Sequence, residues 1–326
     1  MSADIPPAGL TWGAYVEQWV AECGGWLPLA DQLIHRAGDS VEIGLDPQTV
    51  ERGLRRLSRR HHKEGGQYGR WMLRFFGFTQ STEHWVKWMG IYHTRFADLA
   101  VGLRLQQLAL WYRPPITEAP LACWLEVGTA SAHYARLDLA ACELWLGRAE
   151  RHVASAGSEA QLEVGLIRAQ LAVENGGTVD RLHATVEEVL RGATLPVNFA
   201  ASYRARLQHQ RAAVITRSAA PDFERVRALY ADIPDSPVPF VRFRKSVGLA
   251  YCAWKAGDTA AAVRLAEEAV DAAGDGGLMR MRVMALNMLS RVLDGSRATA
   301  VNERAKRMAE ALEDEDLLRR VAQSAP

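Results

Sequence analysis

The sequence predicts an all-α protein in two parts, a small N-terminal helical domain followed by a series of stacked helical hairpins. Three observations carry this. Beyond about residue 118, amphipathic runs of helical length alternate with short turn signals. Residues 247–273 place small side chains at positions where two paired helices would touch. Nine of the ten tryptophans lie before residue 146, whereas the later chain relies on Ala and Leu. Large aromatics fill irregular packing between unlike elements, and small aliphatics suit regular hairpins.

The N-terminal elements follow in order. A helix over Trp12–Cys23 is expected from Tyr15, Val16, Trp19 and Val20 on one face, ended by Gly24-Gly25. Pro28 opens a short helix carrying Leu29, Leu33 and Ile34, which Gly38 stops. Residues 41–45 read as a strand or an extended loop. Asp46-Pro47 is a helix start, because Asp caps free N–H groups and proline fits the first helical position. That helix runs to Lys63 and is broken by Gly65-Gly66. Residues 66–76 read as a wing-like strand pair or as another short helix, which leaves room for a small β wing near 41–45 and 66–76.

Residues 82–113 are helical again, with Trp85, Trp88, Met89, Tyr92, Phe96 and Leu99 as one stripe, and Pro114-Pro115 closes them. The expected domains are 1–80, a helical connector over 81–118, and a repeat array over 119–326. The stripe suits a connector or a homodimer contact, with plain interdomain core as the alternative. Five hairpins are expected, pairing 121–136 with 138–155, 159–175 with 178–191, and 197–216 with 221–232. The fourth begins near Pro239 and ends at Ala273, and the fifth pairs 278–294 with 298–313. The acidic end of the chain reads as a capping helix with a polar outer face.

Bulk properties narrow the function classes. With 48% apolar and 24% charged residues and a formal net charge of +1, only a local patch could recruit a polyanion. The four cysteines are scattered through apolar helical contexts with no CxxC, which suggests buried thiols and a reducing compartment. The first residues lack the pattern of a signal peptide, and no run is long and apolar enough for a membrane span. The expectation is a cytoplasmic protein without a membrane partner; its high Ala, Arg and Gly content suggests a bacterial source.

The local patch is the basic helix. Gln48, Arg52, Arg55, Arg56, Arg59 and Lys63 share one face of residues 47–63, with Val50, Leu54 and Leu57 on another. Between Gln48 and Arg74, eight Lys or Arg stand against Glu51 and Glu64. A basic third helix in a trihelical unit resembles the recognition helix of helix-turn-helix and winged-helix domains. The resemblance implies that Gln48 and Arg52 reach base edges of duplex DNA and that Arg55, Arg56 and Arg59 hold phosphates, with Lys63 continuing the face and Arg70 in a wing. The connection before Asp46 is longer than the usual turn, and a solvated basic face is the plain alternative.

In residues 247–273, Gly257 and the alanines at 262, 266 and 269 stand 7, 12, 16 and 19 positions after Ala250. This resembles a tetratricopeptide repeat, although the units here are longer than the usual 34 or so residues. The resemblance implies a TPR-like α-solenoid whose first helices line a concave groove. Carrying its register over places Arg244, Tyr251 and Lys255 in the groove, with Arg280 and Asn287 in the fifth hairpin. In the third hairpin, Arg204, Gln208 and Arg211 share a face. Asn can pair both groups of a peptide backbone and Arg can hold a carboxylate, so the implied ligand is a peptide or protein.

No phosphate loop, dinucleotide fingerprint, zinc-protease motif or nucleophile elbow occurs, so no catalytic residue, metal or cofactor is expected. Domain order resembles the peptide-sensing HTH–TPR regulators of Gram-positive bacteria. The function expected is a non-enzymatic regulator, with a protein–protein scaffold that leaves DNA untouched as the alternative.

Overall fold

Helix by helix, the computed structural model follows the punctuation of the sequence. It describes residues 9–38 and 46–324, and no strand occurs among them. The expectation over 41–45 lies outside the described residues. By its contacts the chain forms two units, residues 1–90 with 106–126, and Ile91–Leu105 with residues 127–326. The segment 81–118 is shared between them.

In unit 1, Thr11 caps α1 (Trp12–Cys23) through its hydroxyl, and Gly24, at φ 82°, ends it. Next comes α2 (Trp26–Ala37), which starts two residues before Pro28. The Asp46 carboxylate accepts from the amides of Gln48 and Thr49 and so opens α3 (Pro47–Ser58). These three helices pack on one another, and α4 (Gly66–Phe75) packs on α2 and α3. A β wing over 66–76 is therefore corrected to a helix, because Trp71 and Met72 are buried on one helical face.

Trp12 explains where α3 stops. Its backbone amide donates to the carbonyl of His61 at 2.9 Å, and its indole N–H donates to that of Lys63 at 2.9 Å. To reach it the chain leaves helical geometry at Arg59 and passes through a left-handed His61. A helix continuous to Lys63 is thus corrected to one ending at Ser58. The indole ring lies against Gly65 and Gly69, where any Cβ would overlap it, and Gly53 is similarly covered by the Tyr68 ring. Bare backbone at these points lets α1, α3 and α4 approach closely.

The aromatic stripe begins on α5 (Gln80–Ile91) and continues through a widened π-turn at Tyr92–Phe96. Ala97 is left-handed, and α6 (Val101–Trp111) follows. The single helix expected over 82–113 is therefore broken. The break frees Arg95, Phe96 and Asp98 to be engaged by other helices of unit 2, as described below.

Unit 2 contains the hairpins at the expected places: α7 (Ala122–Ala135) with α8 (Leu139–Ala156), and α9 (Ser158–Glu174) with α10 (Asp180–Gly192). They continue with α11 (Val197–Thr216) and α12 (Phe223–Ala231), α13 (Pro239–Lys255) and α14 (Thr259–Asp275), and α15 (Met279–Val292) and α16 (Gly295–Ala311). The last helix is α17 (Glu315–Ala322). From α8 onward sequence neighbours pack along the series, and α9, α11, α13, α15 and α17 also pack each on the next. Those five helices form an inner layer, an arrangement compatible with a helical solenoid. The α13–α14 pair is joined through Ala250, Ala262, Ala266 and Ala269, all fully buried.

Three turns repeat one device, a left-handed residue followed by a capping aspartate: Leu137-Asp138, Gly257-Asp258 and Glu313-Asp314. In each, the aspartate amide also closes the preceding helix by donating to a carbonyl five residues back.

Residues 91–105 run along the inner layer and close it. Arg95 reaches Glu163 of α9, the Phe96 ring meets Phe240 of α13 edge-on, and Asp98 accepts from the Arg280 amide of α15. The Val101 amide donates to Leu312 O at 2.9 Å, and buried Arg104 donates to Ser131 of α7. Glu174 of α9 accepts from Tyr134 of α7 and from Arg319 of α17. The series is curled tightly enough that its first and last helices share a partner.

No helix among the described residues is long and apolar enough to cross a membrane. The four cysteines are free, three of them buried.

Two glycines predict opposite effects of the same substitution. Gly53→Ala must displace the Tyr68 ring and should cost about 1–3 kcal/mol. Gly147, inside α8 with open space around its Cα, should gain roughly 0.5–1 kcal/mol on change to Ala. Denaturant unfolding of the two variants checks the contrast.

Candidate functional site

A single register position on the inner layer carries a charged residue in four successive helices. Six residues before the buried Ala169, Ala212, Ala250 and Leu286 stand Glu163, Arg206, Arg244 and Arg280. Helical spacing puts the residues three positions before and one after those reference residues on the same face. They are Leu166 and Gln170, His209 and Ala213, Val247 and Tyr251, and Val283 and Asn287. All but Leu166 line one of two clefts within unit 2.

The first cleft is dominated by guanidinium groups: Arg95, Arg206, Arg217, Arg244, Arg280 and Arg320. The second shares His209, Ala213, Arg217, Met284 and Arg320 with it. Its remaining walls are more apolar, with Tyr230, Val247, Tyr251, Val283, Met288, Leu317 and Val321 beside Asn287 and Arg291. The two clefts are therefore lobes of one chamber, one cationic and one largely apolar.

Most of the cations have partners. Glu163, with no exposed surface, accepts from Arg206 at 2.6 Å and from Arg95 at 3.3 Å. Those two arginines hold its carboxyl below the usual value, although burial alone would raise it. Arg280 pairs with Asp314 at 2.8 Å and Asp316 at 3.4 Å. Asp316 also takes Arg319 and Arg320, and Glu174 takes Arg217 at 2.9 Å. Asp98 is pushed up to about 6, chiefly by burial.

Arg244 differs. It is 8% exposed, and its Nε and Nη1 have no hydrogen-bond partner among the described residues. Its guanidinium lies 5.4 Å from the ring centroids of Phe240 and Phe243. Burial, with Arg280, Arg206 and Arg320 nearby, lowers its pKa to about 9, still charged at neutral pH. Close by, the pKa of half-buried His209 is driven well below the ordinary 6.5 by desolvation and the surrounding arginines. Its Nδ1 lies 2.9 Å from the Tyr230 hydroxyl.

The expected groove residues divide by helix. Arg244, Tyr251, Arg280 and Asn287 line the chamber. Lys255 does not; it is exposed and rests over the Trp254 ring at 4.1 Å. In α11 the face differs from the expected one. Arg204 is exposed, Gln208 donates to Asp232, and Arg211 pairs with Glu187 of α10, whereas Arg206, His209, Gln210 and Arg217 turn inward. The correction has a packing cause, since buried Ala205 and Ala212 fix the orientation of α11. Counting back from Ala212 as from Ala250 would have found Arg206. The same count from Ala169 reaches Glu163, whereas nothing comparable in the sequence marks Arg95.

In unit 1, Gln48 and the basic residues Arg52, Arg55, Arg56, Arg59, Lys63 and Arg70 are all exposed. Only Gln48 to Arg56 lie on α3 itself; Arg59 and Lys63 belong to the turn held by Trp12, and Arg70 to α4. Arg52 donates to Thr49. Arg55 pairs with Glu51 at 2.8 Å and stacks over Trp26. Comparison with protein-family models, with curated proteins and with solved structures gives no match.

Two expectations follow. Glu163→Gln leaves Arg95 and Arg206 without their counter-charge and should lower stability by about 3–5 kcal/mol. Because His209 is held neutral, the unfolded chain takes up a proton first as pH falls through about 6.5, and stability drops. Asp98, raised in the folded state, acts in the opposite sense between about 6 and its ordinary 3.8. Melting curves of the protein and of His209→Gln between pH 7 and 5 isolate the histidine, and the variant should show the shallower acid loss.

Proposed function

We propose that the chain is a non-enzymatic regulator in which the basic helix of unit 1 binds duplex DNA and the helical array of unit 2 binds the end of a peptide or protein. The observation that carries the reading is Arg244, a buried guanidinium with no carboxylate partner among the described residues, beside a two-lobed chamber. Burying an unpaired charge costs stability, and such a cost is retained where a ligand supplies the missing partner. Residues 91–105 run along the inner layer, which favours a ligand that enters by one end over one threaded through a groove. The small-residue seam of α13 and α14 supports a TPR-like array.

Support for the DNA-binding half lies in α3. It is the third of three mutually packed helices, it buries Val50, Leu54 and Leu57, and it leaves Gln48, Arg52 and Arg56 exposed. This resembles a helix-turn-helix unit, with side chains of the helix start at base edges and Arg56 at phosphate.

The second reading is a scaffold that does not touch DNA. Two observations favour it: Arg55 is engaged by Glu51 and Trp26, and the helical basic face ends at Ser58. A gel shift with the full chain separates the readings. Duplex binding should weaken steeply with salt, and Arg52→Glu with Arg56→Glu should weaken it across sequences and flatten the salt slope by about two. Absence of any shift at low salt leaves the scaffold.

A further inference from the structure

The chamber is specific about the chemistry of what it would take. In the inner-layer ladder, Arg206 has Glu163 and Arg280 has Asp314 and Asp316, so the two arginines flanking Arg244 are compensated. Arg104, buried more deeply still, donates to the neutral His93 carbonyl and Ser131 hydroxyl. Beside Arg244 lie the rings of Phe240 and Phe243, and rings cannot accept the full hydrogen-bonding capacity of a guanidinium. Of the two buried arginines with no carboxylate partner among the described residues, Arg104 and Arg244, only Arg244 lines the chamber, and its charge matches one negative charge.

The geometry of the adjoining lobe supplies the second half of the argument. Val247 and Tyr251 follow Arg244 along α13, and Val283 and Met288 face them from α15. A molecule anchored at Arg244 therefore has an apolar surface to lie on immediately beside its charge. Asn287, whose Oδ1 is buried without a hydrogen-bond partner, adds one polar contact in that lobe.

We infer that the chamber binds an amphipathic carboxylate, its oxygens on Arg244 and its apolar body in the lobe of Tyr251 and Met288. This rests on the reading of unit 2 as a ligand-binding array and names its ligand class. The carboxylate comes from one of two sources, the C-terminus of an apolar peptide or a free medium-chain carboxylic acid. Either pairs bidentately with a guanidinium, a strong charge-assisted contact in a site largely removed from water.

The test uses calorimetric titration of the full-length protein. The probes are an N-acetylated tetrapeptide of leucine and valine with a free C-terminal carboxylate, its carboxamide, octanoate and octanol. One carboxylate probe should bind at least about tenfold more tightly than its neutral counterpart, the loss expected when a charge-assisted contact of this kind is removed. Which of the two it is identifies the source. In Arg244→Met the difference should vanish, while the ligand-free variant melts at a higher temperature than the parent, since an unpaired buried charge has gone. Arg244→Gln serves the same comparison if the methionine variant does not fold.

Equal binding of charged and neutral forms would overturn the carboxylate assignment while leaving the array as a ligand-binding element. Unchanged carboxylate preference in Arg244→Met, or a lower melting temperature for the ligand-free variant, would also overturn it. Failure of all four probes to bind overturns the assignment and the ligand-binding reading together. Duplex binding by unit 1 is measured separately and is decided by neither result.

Discussion

The carboxylate of Glu163 is the contact on which the inner layer of unit 2 depends. It sits without exposed surface on α9, between Arg206 of α11 and Arg95 of the π-turn. A buried ion pair repays its desolvation only when the geometry is close to ideal. This one joins three separately positioned segments, so each constrains the other two. The register of α9 against α11 sets the ladder of charges that continues to Arg244 and Arg280. The seat of Arg95 sets how residues 91–105 lie along the layer.

Along that ladder compensation is uneven, and the unevenness is the informative part. Asp316 gathers Arg280, Arg319 and Arg320, and Glu174 gathers Arg217, Arg319 and the Tyr134 hydroxyl. The acids lie at both ends of the layer and the uncompensated guanidinium lies between them. Local rules of pairing are broken at several buried polar atoms of the array, and Arg244, with two nitrogens unpaired among the described residues, carries a full charge there. Violations of that kind concentrate where a structure is shaped for something other than its own stability.

Much of the architecture was legible from residues whose role is local. Asp46-Pro47 announced the start of α3, and Ala250, Ala262, Ala266 and Ala269 announced the α13–α14 seam. What could not be read depended on distant partners. The end of α3 is set by Trp12, some fifty residues earlier, and nothing within the basic run itself breaks a helix. Leu137 and Glu313 occupy turn positions where glycine is the usual signal, so two copies of the Gly257-Asp258 device went unseen. The inward face of α11 was misplaced because Arg204 and Arg206 are equally plausible by charge, and only the buried alanines beside them distinguish the two. Arg95 lies within an unbroken-looking aromatic stripe, and its burial depends on a helix seventy residues away.

The link between Val101 and Leu312 bears on how the chain reaches its native state. Repeat arrays built from neighbour contacts alone have low contact order and can form piece by piece from either end. Here the amides of Val101 and Gly102 wait for partners more than two hundred residues later in the chain. As the polypeptide emerges from the ribosome, successive hairpins can assemble while residues 91–105 still lack part of their final surroundings. Completion of unit 2 is therefore reserved for the moment when α16 and α17 have been synthesised. A truncated chain lacking them would hold the hairpins but leave the amides of Val101 and Gly102 without their closing partners, which is a built-in check on the integrity of the C-terminal end.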